Sequence, residues 1–132
     1  MNESFWNKRF EEQPLLYGVK PNAFFKQELD KLRPGLILLP GEGEGRNAIY
    51  AATQDWGVVA LDQSEVAREN ALRFARLHGV VIDYFLGDAL LYLPPAKHFD
   101  VIALIYFHLP QAMRKKIHHK FIKRYGQGVR CL

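Results

Sequence analysis

Apolar runs alternate with segments of helical spacing along most of the chain. The runs at 36–39, 58–62, 80–86 and 99–106 are mainly aliphatic and aromatic, which predicts four strands. Between them, apolar residues recur at helical spacing. Strands that are apolar throughout are typical of a parallel sheet that is buried on both faces. The alternation therefore predicts an α/β fold, a Rossmann-like and mostly parallel sheet with helices on both faces.

Polar residues, glycine and proline mark the ends of the predicted helices. Asn22 is expected to cap the first helix, and Ser64 the helix after the second strand. Gly79 follows that helix, as a glycine that adopts the left-handed conformation often does. Pro110 occupies the first position of the last helix. The inward-facing stripe of that helix is Met113, Ile117, Phe121 and Tyr125.

Length and composition indicate one soluble domain. The chain has 132 residues, of which 48% are hydrophobic and 24% charged. We expect a single domain over 1–132, with an N-terminal lid or cap at 1–21 and a Rossmann-like core at 22–132. The N-terminus has no signal-peptide pattern, and no apolar run approaches the roughly 20 residues of a membrane span. A single cysteine, Cys131, provides neither a disulfide nor a cysteine-based zinc site. The expected location is the cytoplasm, with no metal and no membrane partner.

The positive charge is concentrated in one predicted helix. The net charge is +4, and six lysines and arginines lie between 114 and 124 with no acid among them. Subtracting these six charges leaves −2 for the rest of the chain. A run of this kind is usually a solvated helix surface, so no nucleic-acid partner is expected.

Three alternating glycines, Gly41, Gly43 and Gly45, connect the first strand to the next helix. Glycine lets the backbone turn tightly and approach a ligand closely, because no Cβ intervenes. The amide groups that open the helix then face that ligand. This arrangement predicts a site for a nucleotide-like molecule at the carboxyl end of a parallel strand.

The glycine spacing and the nearby acids distinguish between nucleotides. Only the relaxed Gly-x-Gly-x-x-Ala pattern fits, beginning at Gly43, and no Lys-Ser or Lys-Thr follows as in a P-loop. Asp62 and Asp88 end the second and third strands, where aspartate also serves as a turn or cap residue. Asp62 could accept hydrogen bonds from both hydroxyls of a ribose, which suits NAD and other adenosine ligands alike. Paired acids favour a cation such as S-adenosylmethionine, whereas Glu42 and Glu44 would repel the phosphates of NAD.

At these residues the chain resembles the S-adenosylmethionine-dependent methyltransferases, and within them the tellurite-resistance and thiopurine methyltransferase-like proteins. The resemblance is carried by Gly41 to Ala48, Asp62-Gln63-Ser64, Gly87-Asp88, and Phe99-Asp100 to His108-Leu109-Pro110. The N-terminal Trp6, Arg9-Phe10, Tyr17-Gly18 and Pro21-Asn22 extend it over nearly the whole chain.

The resemblance implies a role for each matched position. Gly41, Gly43 and Gly45 would line the methionine and ribose portion of S-adenosylmethionine, Asp62 and Gln63 would bind the ribose side, and Asp88 and Ala89 would flank the adenine. Tyr106, Phe107 and His108 would face the transferred methyl group and its acceptor, and Tyr17 and Gly18 would belong to a lid. His108 is the candidate catalytic base, although a histidine there could equally cap the helix that begins at Pro110.

The chain departs from the family pattern in two ways. Many relatives have an acid at the position of Leu39, so Glu42 or Glu44 would have to replace it, or they face solvent or pair with Arg46. The family fold also continues through three strands beyond the fourth, which predicts an exposed edge at strand four and self-association through it. A truncated fragment, a frameshifted gene and a reduced relative would share this feature.

Three functions follow from these observations. The first is methyl transfer from S-adenosylmethionine to a small soft nucleophile, such as a thiol, selenium or tellurium species, which needs little base catalysis. The second is a domain that binds S-adenosylmethionine without turnover, because its acceptor wall is missing. The third, an interaction module built on the basic helix, is disfavoured by the local distribution of charge.

Overall fold

A parallel five-stranded sheet forms the centre of the molecule. The computed structural model describes residues 20–88, 99–104, 111–112, 115–116 and 119, and the backbone of 130–131. The strands are β1 (Leu36–Pro40), β2 (Gly57–Asp62), β3 (Asp83–Leu86), β4 (Val101–Ile102) and β5 (Arg130–Cys131). Their order in the sheet is β3-β2-β1-β4-β5, and every neighbouring pair is parallel. The predicted Rossmann-like α/β fold is confirmed.

Three helices are defined in the part before residue 88, and their ends agree with the predicted caps. They are α1 (Ala23–Leu29), α2 (Arg46–Thr53) and α3 (Glu65–Leu77). The Asn22 side chain accepts a hydrogen bond from the N–H of Phe25 at 2.9 Å. The Ser64 hydroxyl accepts from the N–H of Ala67 at 3.1 Å. Each side chain satisfies an amide that the first turn of its helix leaves without a partner.

Both faces of the sheet are buried. One core joins apolar residues of all three helices to alternate residues of the strands, including Ile37, Leu39, Val58, Ala60, Phe25, Ala48 and Ala71. The strand residues between them point to the opposite face, and Leu38, Leu61 and Ile102 are also fully buried there. Helix α2 packs on β2, and α3 packs on β2 and β3. This burial explains why the strands are apolar throughout.

Strand β3 begins three residues later than predicted. The N–H of Val80 donates to the carbonyl of Ala75 at 3.0 Å, and that of Gly79 to Arg76 at 3.1 Å. With Gly79 at φ 68°, these two bonds form a Schellman motif that ends α3. Val80 is therefore part of the helix ending, and Val81 is 85% exposed. The apolar run at 80–82 reads as strand in the sequence but serves as a connection.

The predicted exposed edge at strand four is wrong. Val101 and Ile102 of β4 pair with Arg130 and Cys131 of β5 in parallel register. The short segment near residue 130 thus adds a strand where the sequence predicted an open edge, and the predicted self-association through β4 loses its basis. Strand β4 is also shorter than predicted, since Ala103 and Leu104 lie outside it.

The basic helix is exposed where the structure describes it. Residues 111–112, 115–116 and 119 are helical and exposed, and Lys115 and Lys116 are two of the six clustered basic residues. Their exposure agrees with the predicted solvated surface. The predicted stripe of Met113, Ile117, Phe121 and Tyr125 lies outside the described residues. No helix in the described part of the chain combines the length and apolar character that crossing a membrane requires.

Candidate functional site

The loops that follow β1, β2 and β3 meet at the carboxyl edge of the sheet. In register, Pro40 lies beside Leu61, and Asp62 lies beside Leu86. The N–H of Gly41 donates to the carbonyl of Leu61 at 2.6 Å, and backbone bonds also join the second loop to the third. The predicted segments around the glycines, Asp62 and Asp88 are therefore adjacent, as expected for strand ends in a parallel sheet.

The glycine loop, residues 41–45, has a conformation that depends on its glycines. The φ angles of Gly41, Gly43 and Gly45 are 67°, 65° and 87°, all in the left-handed region. Gly45 directly precedes α2, and a Cβ at this position would lie only 2.9 Å from the Cβ of Ala71 in α3. At Gly45 both the backbone conformation and the contact with α3 therefore require glycine.

The peptide groups of Gly43 are held by side chains from two neighbouring strands. Its N–H donates to the Asp62 carboxylate (Oδ2) at 2.8 Å. Its carbonyl accepts a hydrogen bond from the hydroxyl of Tyr84, a buried residue of β3, at 2.5 Å. The second oxygen of Asp62 accepts from the N–H of Ser64 at 3.2 Å. No local sequence pattern predicts this role for Tyr84, although it has the one hydroxyl group in β3.

Glu42 is buried and stabilises the start of α2. Its carboxyl oxygen (Oε2) accepts from the N–H of Ala48, in the first turn of the helix, at 2.6 Å. Gly45, the N-cap residue, has no side chain for this task, so Glu42 supplies the acceptor. Burial raises the pKa of Glu42 to about 8, against the opposing effect of the Ala48 N–H, Asn47 and Arg46. Much of Glu42 is therefore protonated at neutral pH.

Glu44 is also buried, against α3. Its carboxylate accepts a hydrogen bond from the side-chain amide of Asn70 at 2.8 Å. Glu42 and Glu44 are only 9% and 8% exposed, so the solvent-facing alternative is wrong for both. The positive charge of Arg46 favours the ionised form of Glu42.

A second contact fixes the start of α1 beside the glycine loop. Asn47, in the first turn of α2, is buried, and its side-chain oxygen accepts from the N–H of Asn22 at 2.7 Å. Arg46 donates to the carbonyl of Lys20 at 3.4 Å. The chain before α1 is thus attached next to the site. This role of Asn47 is not predictable from the sequence, since a polar residue in a first helical turn can form several other hydrogen bonds.

The described part of the chain brings together six of the predicted site residues. Gly41, Gly43, Gly45, Asp62, Gln63 and Asp88 lie on the three adjacent loops. The predicted lid residues Tyr17 and Gly18, the adenine-side Ala89, and the acceptor-side Tyr106, Phe107 and His108 lie outside the described residues. Among the described residues, no group of three or more histidine, cysteine, aspartate or glutamate side chains is placed to hold a metal ion.

Acids dominate the electrostatics around the glycine loop. Glu42, Glu44 and Asp62 lie in or beside it, and Arg46 is the basic residue that follows it. Burial raises the pKa of Asp62, against the hydrogen bonds that its carboxylate accepts from the backbone of Gly43, Ser64 and Gln63. A cation entering this edge would stabilise the ionised carboxylates, whereas an anion would be repelled by them. The site is thus suited to a positively charged ligand.

Solved structures share this fold at low sequence identity. A protein studied for the conversion of a disulfide bond into a thioacetal group during echinomycin biosynthesis matches with a TM-score of 0.78 and 20% identity, over 94% of this chain and 56% of that one. An S-adenosylmethionine-dependent methyltransferase from Thiobacillus denitrificans, in complex with S-adenosyl-L-homocysteine, matches with a TM-score of 0.70 and 20% identity, over 98% and 53%. A TehB-like S-adenosylmethionine-dependent methyltransferase from Corynebacterium glutamicum matches with a TM-score of 0.69 and 18% identity, over 98% and 72%.

These comparisons give the fold and the extent of the likeness. The chain spans just over half the length of the first two of these structures. No curated protein sequence matches it significantly. A family model described as a methyltransferase domain matches residues 37–126, which is more than half of the chain. The chain therefore belongs to the methyltransferase domain family, as its glycine loop and strand-end acids predicted.

Proposed function

We propose that this domain binds S-adenosylmethionine at the glycine loop and transfers its methyl group to a small soft nucleophile, such as a thiol, selenium or tellurium species. The observation that carries the proposal is the pairing of Gly43 with Asp62 at the carboxyl edge of the sheet, in a chain of the methyltransferase domain family. A glycine loop and a strand-end acid in this relation suit the ribose and methionine portions of one ligand.

The described residues fit this cofactor. The Asp62 carboxylate accepts backbone hydrogen bonds from Gly43, Ser64 and Gln63, and a carboxylate has about four acceptor positions, so one remains for a hydroxyl of the ribose. Asp88 follows β3 and is partly exposed at the same edge, where it would flank the adenine. When bound, the cofactor supplies an activated methyl group on a positively charged sulfonium. The protein then has to hold the acceptor in line with that group.

The charge of the loop favours this cofactor over a dinucleotide. Glu44 is buried and Asp62 is half-buried, both next to the position that a pyrophosphate would occupy, and their charges would repel it. Ionised Glu42 would add to that repulsion. The ammonium and sulfonium of S-adenosylmethionine reverse the sign of these interactions. Glu44, or Glu42 when it is ionised, would then take the place of the acid that many relatives have at the position of Leu39.

The acceptor is proposed from its chemistry. Soft nucleophiles attack a methyl group readily without strong base catalysis, so a site with one candidate base, His108, suits them. Two structural neighbours support this class of acceptor. One is the protein studied for the conversion of a disulfide bond into a thioacetal group. The other is the TehB-like methyltransferase, which agrees with the resemblance to tellurite-resistance proteins. His108 and Tyr106 are proposed to face the acceptor, and Tyr17 to cover the cofactor.

A second candidate is a domain that binds S-adenosylmethionine without turnover. The observation in its favour is length, since the chain spans 56% of the neighbour with a TM-score of 0.78. Elements that complete an acceptor site in a longer protein need not be provided by this chain. Binding and turnover must therefore be measured separately.

Calorimetric titration tests the cofactor, and product formation tests the reaction. We expect the chain to bind S-adenosylmethionine and not NAD. With a thiol, a selenol and a tellurium oxyanion as acceptors, methyl transfer should release S-adenosylhomocysteine in proportion to methylated product. Binding without any release would favour the second candidate, and absence of binding would contradict both.

A further inference from the structure

The conformation of Gly43 is fixed by its hydrogen bonds. Glycine has no side chain and populates positive and negative φ about equally, so other contacts must select the φ of 65° at Gly43. Gly45 is restrained separately by its contact with Ala71, and Gly41 by its bond to Leu61. For Gly43 the described restraints are Asp62 on the N–H and Tyr84 on the carbonyl.

Tyr84 is itself held firmly from two sides. It is 6% exposed and pairs with Ala60 of β2 in the sheet register. Its backbone carbonyl accepts a hydrogen bond from Nε of Arg68 in α3 at 2.9 Å. The hydroxyl therefore reaches the glycine loop from a fixed position. Burial, with the nearby charges of Asp62 and Glu42, holds the pKa of Tyr84 well above its ordinary value, so the hydroxyl remains a donor at all physiological pH values.

We propose that Tyr84 is a positioning residue for the methyl donor: its hydroxyl holds the Gly43 carbonyl so that the glycine loop keeps the shape that the methionine portion of the ligand requires. This inference rests on the proposed function, because it assigns a task within the same site. Asp62 holds the loop and is proposed to bind the ribose, whereas the Tyr84 hydroxyl contacts the loop through the backbone carbonyl of Gly43. Its effect should therefore fall on the part of the ligand that the loop contacts.

The substitution Tyr84→Phe tests this role, because it removes the hydroxyl and leaves the buried ring. Tyr50→Phe is the matched control, since the Tyr50 hydroxyl donates to Asp30 over the same 2.5 Å distance but on the exposed surface between α1 and α2. Calorimetry should show that Tyr84→Phe weakens binding of S-adenosylmethionine by about 5- to 10-fold, as loss of one buried hydrogen bond implies. Binding of adenosine, which keeps the ribose but lacks the methionine portion, should be weakened less, and Tyr50→Phe should alter neither.

Amide hydrogen exchange provides a measurement that needs no ligand. In Tyr84→Phe the amides of residues 43–45 should exchange faster than in the wild type, and in Tyr50→Phe they should not. Unchanged exchange in Tyr84→Phe would overturn the inference, and so would equal losses of affinity for S-adenosylmethionine and adenosine, which indicate general destabilisation. A wild-type chain that fails to bind S-adenosylmethionine would contradict the proposed function instead, and exchange would still decide whether Tyr84 holds the loop.

Discussion

The carboxylate of Asp62 accepts a hydrogen bond from the backbone N–H of Gly43 at 2.8 Å, so the acid that ends β2 holds the loop that follows β1. Its other oxygen accepts from Ser64, whose own hydroxyl caps α3. One side chain thus joins the glycine loop, the end of β2 and the start of α3. An acid that binds ribose here would do so while already fixed in orientation, which lowers the entropic cost of binding.

Asp62→Ala should weaken binding of S-adenosylmethionine by roughly 1–3 kcal/mol, because it removes both the ribose acceptor and the restraint on Gly43. Asp62→Asn should not rescue the affinity fully, since its amide would direct an N–H at either Gly43 or Ser64, both of which are donors. Asp83→Ala is the control, at the exposed first residue of β3. Calorimetric affinities that are equal for Asp62→Ala and Asp83→Ala would contradict this role.

Gly45→Ala should destabilise the protein more than Gly79→Ala. Both positions have φ in the left-handed region, 87° and 68°, which costs a residue with a Cβ about 1–2 kcal/mol. At Gly79 an added Cβ meets open space, whereas at Gly45 it would lie 2.9 Å from the Cβ of Ala71. The overpacking should add about 1 kcal/mol or more to the loss at Gly45.

Urea denaturation of both variants measures the difference, and a double-mutant cycle identifies its cause. Adding Ala71→Gly to Gly45→Ala should relieve the contact, so the double variant should lose less stability than the sum of the single variants. Strict additivity would show that the contact with α3 is not the source of the extra loss.

Asn47→Ala should lower the free energy of unfolding by about 1–2 kcal/mol, because it leaves the N–H of Asn22 without the acceptor that it has at 2.7 Å. Gln54→Ala, at the exposed C-terminal end of α2, is the control. Equilibrium denaturation of the two variants provides the comparison. An equal decrease in the free energy of unfolding of both variants would show that the hydrogen bond from Asn22 to Asn47 does not stabilise the protein.

The fold was predictable because each local signal agreed with the sheet as a whole. The strands β1 and β2 were predicted to within a residue, since buried parallel strands are mainly apolar, a glycine follows the first strand and an acid ends the second. The side chains of Asn22 and Ser64 cap their helices as predicted, because that bond is formed within three residues of sequence. Apolar runs misled where an irregular segment has the same composition as a strand, as at Val81 and at Ala103 and Leu104 after β4.

The site was predictable in its backbone but not in its side-chain contacts. The loop and Asp62 follow from glycine spacing and from the strand end, which are local features. The bond from Tyr84 to Gly43 joins residues 41 positions apart, and no local pattern encodes it. The burial of Glu42 was equally hidden, since a glutamate between glycines reads as solvent-facing. Glu42 accepts the hydrogen bond from Ala48 that a side chain at the N-cap residue Gly45 would otherwise accept, and it can do so only because of the path of the loop.

Burial of Glu42 makes the stability of the protein depend on pH. Its pKa is raised from 4.5 to about 8, so between these values the folded chain holds a proton that the unfolded chain has released. The contribution of Glu42 to the free energy of unfolding should therefore be greatest below pH 4.5, fall as the pH rises, and level off above about 8. The raised pKa of Asp62 contributes with the same sign, beginning above 3.8.

Glu42→Gln should remove most of this dependence, because its amide oxygen can still accept from Ala48 and does not titrate. One pKa unit corresponds to about 1.4 kcal/mol. Between pH 5 and pH 8 the free energy of unfolding of the wild type should therefore fall by at least about 2 kcal/mol more than that of the variant. Glu69→Gln, at an exposed position of α3, controls for loss of a negative charge. Denaturation curves measured across this range decide the matter: if wild type and Glu42→Gln change in parallel, Glu42 is not the buried proton carrier that its contacts indicate.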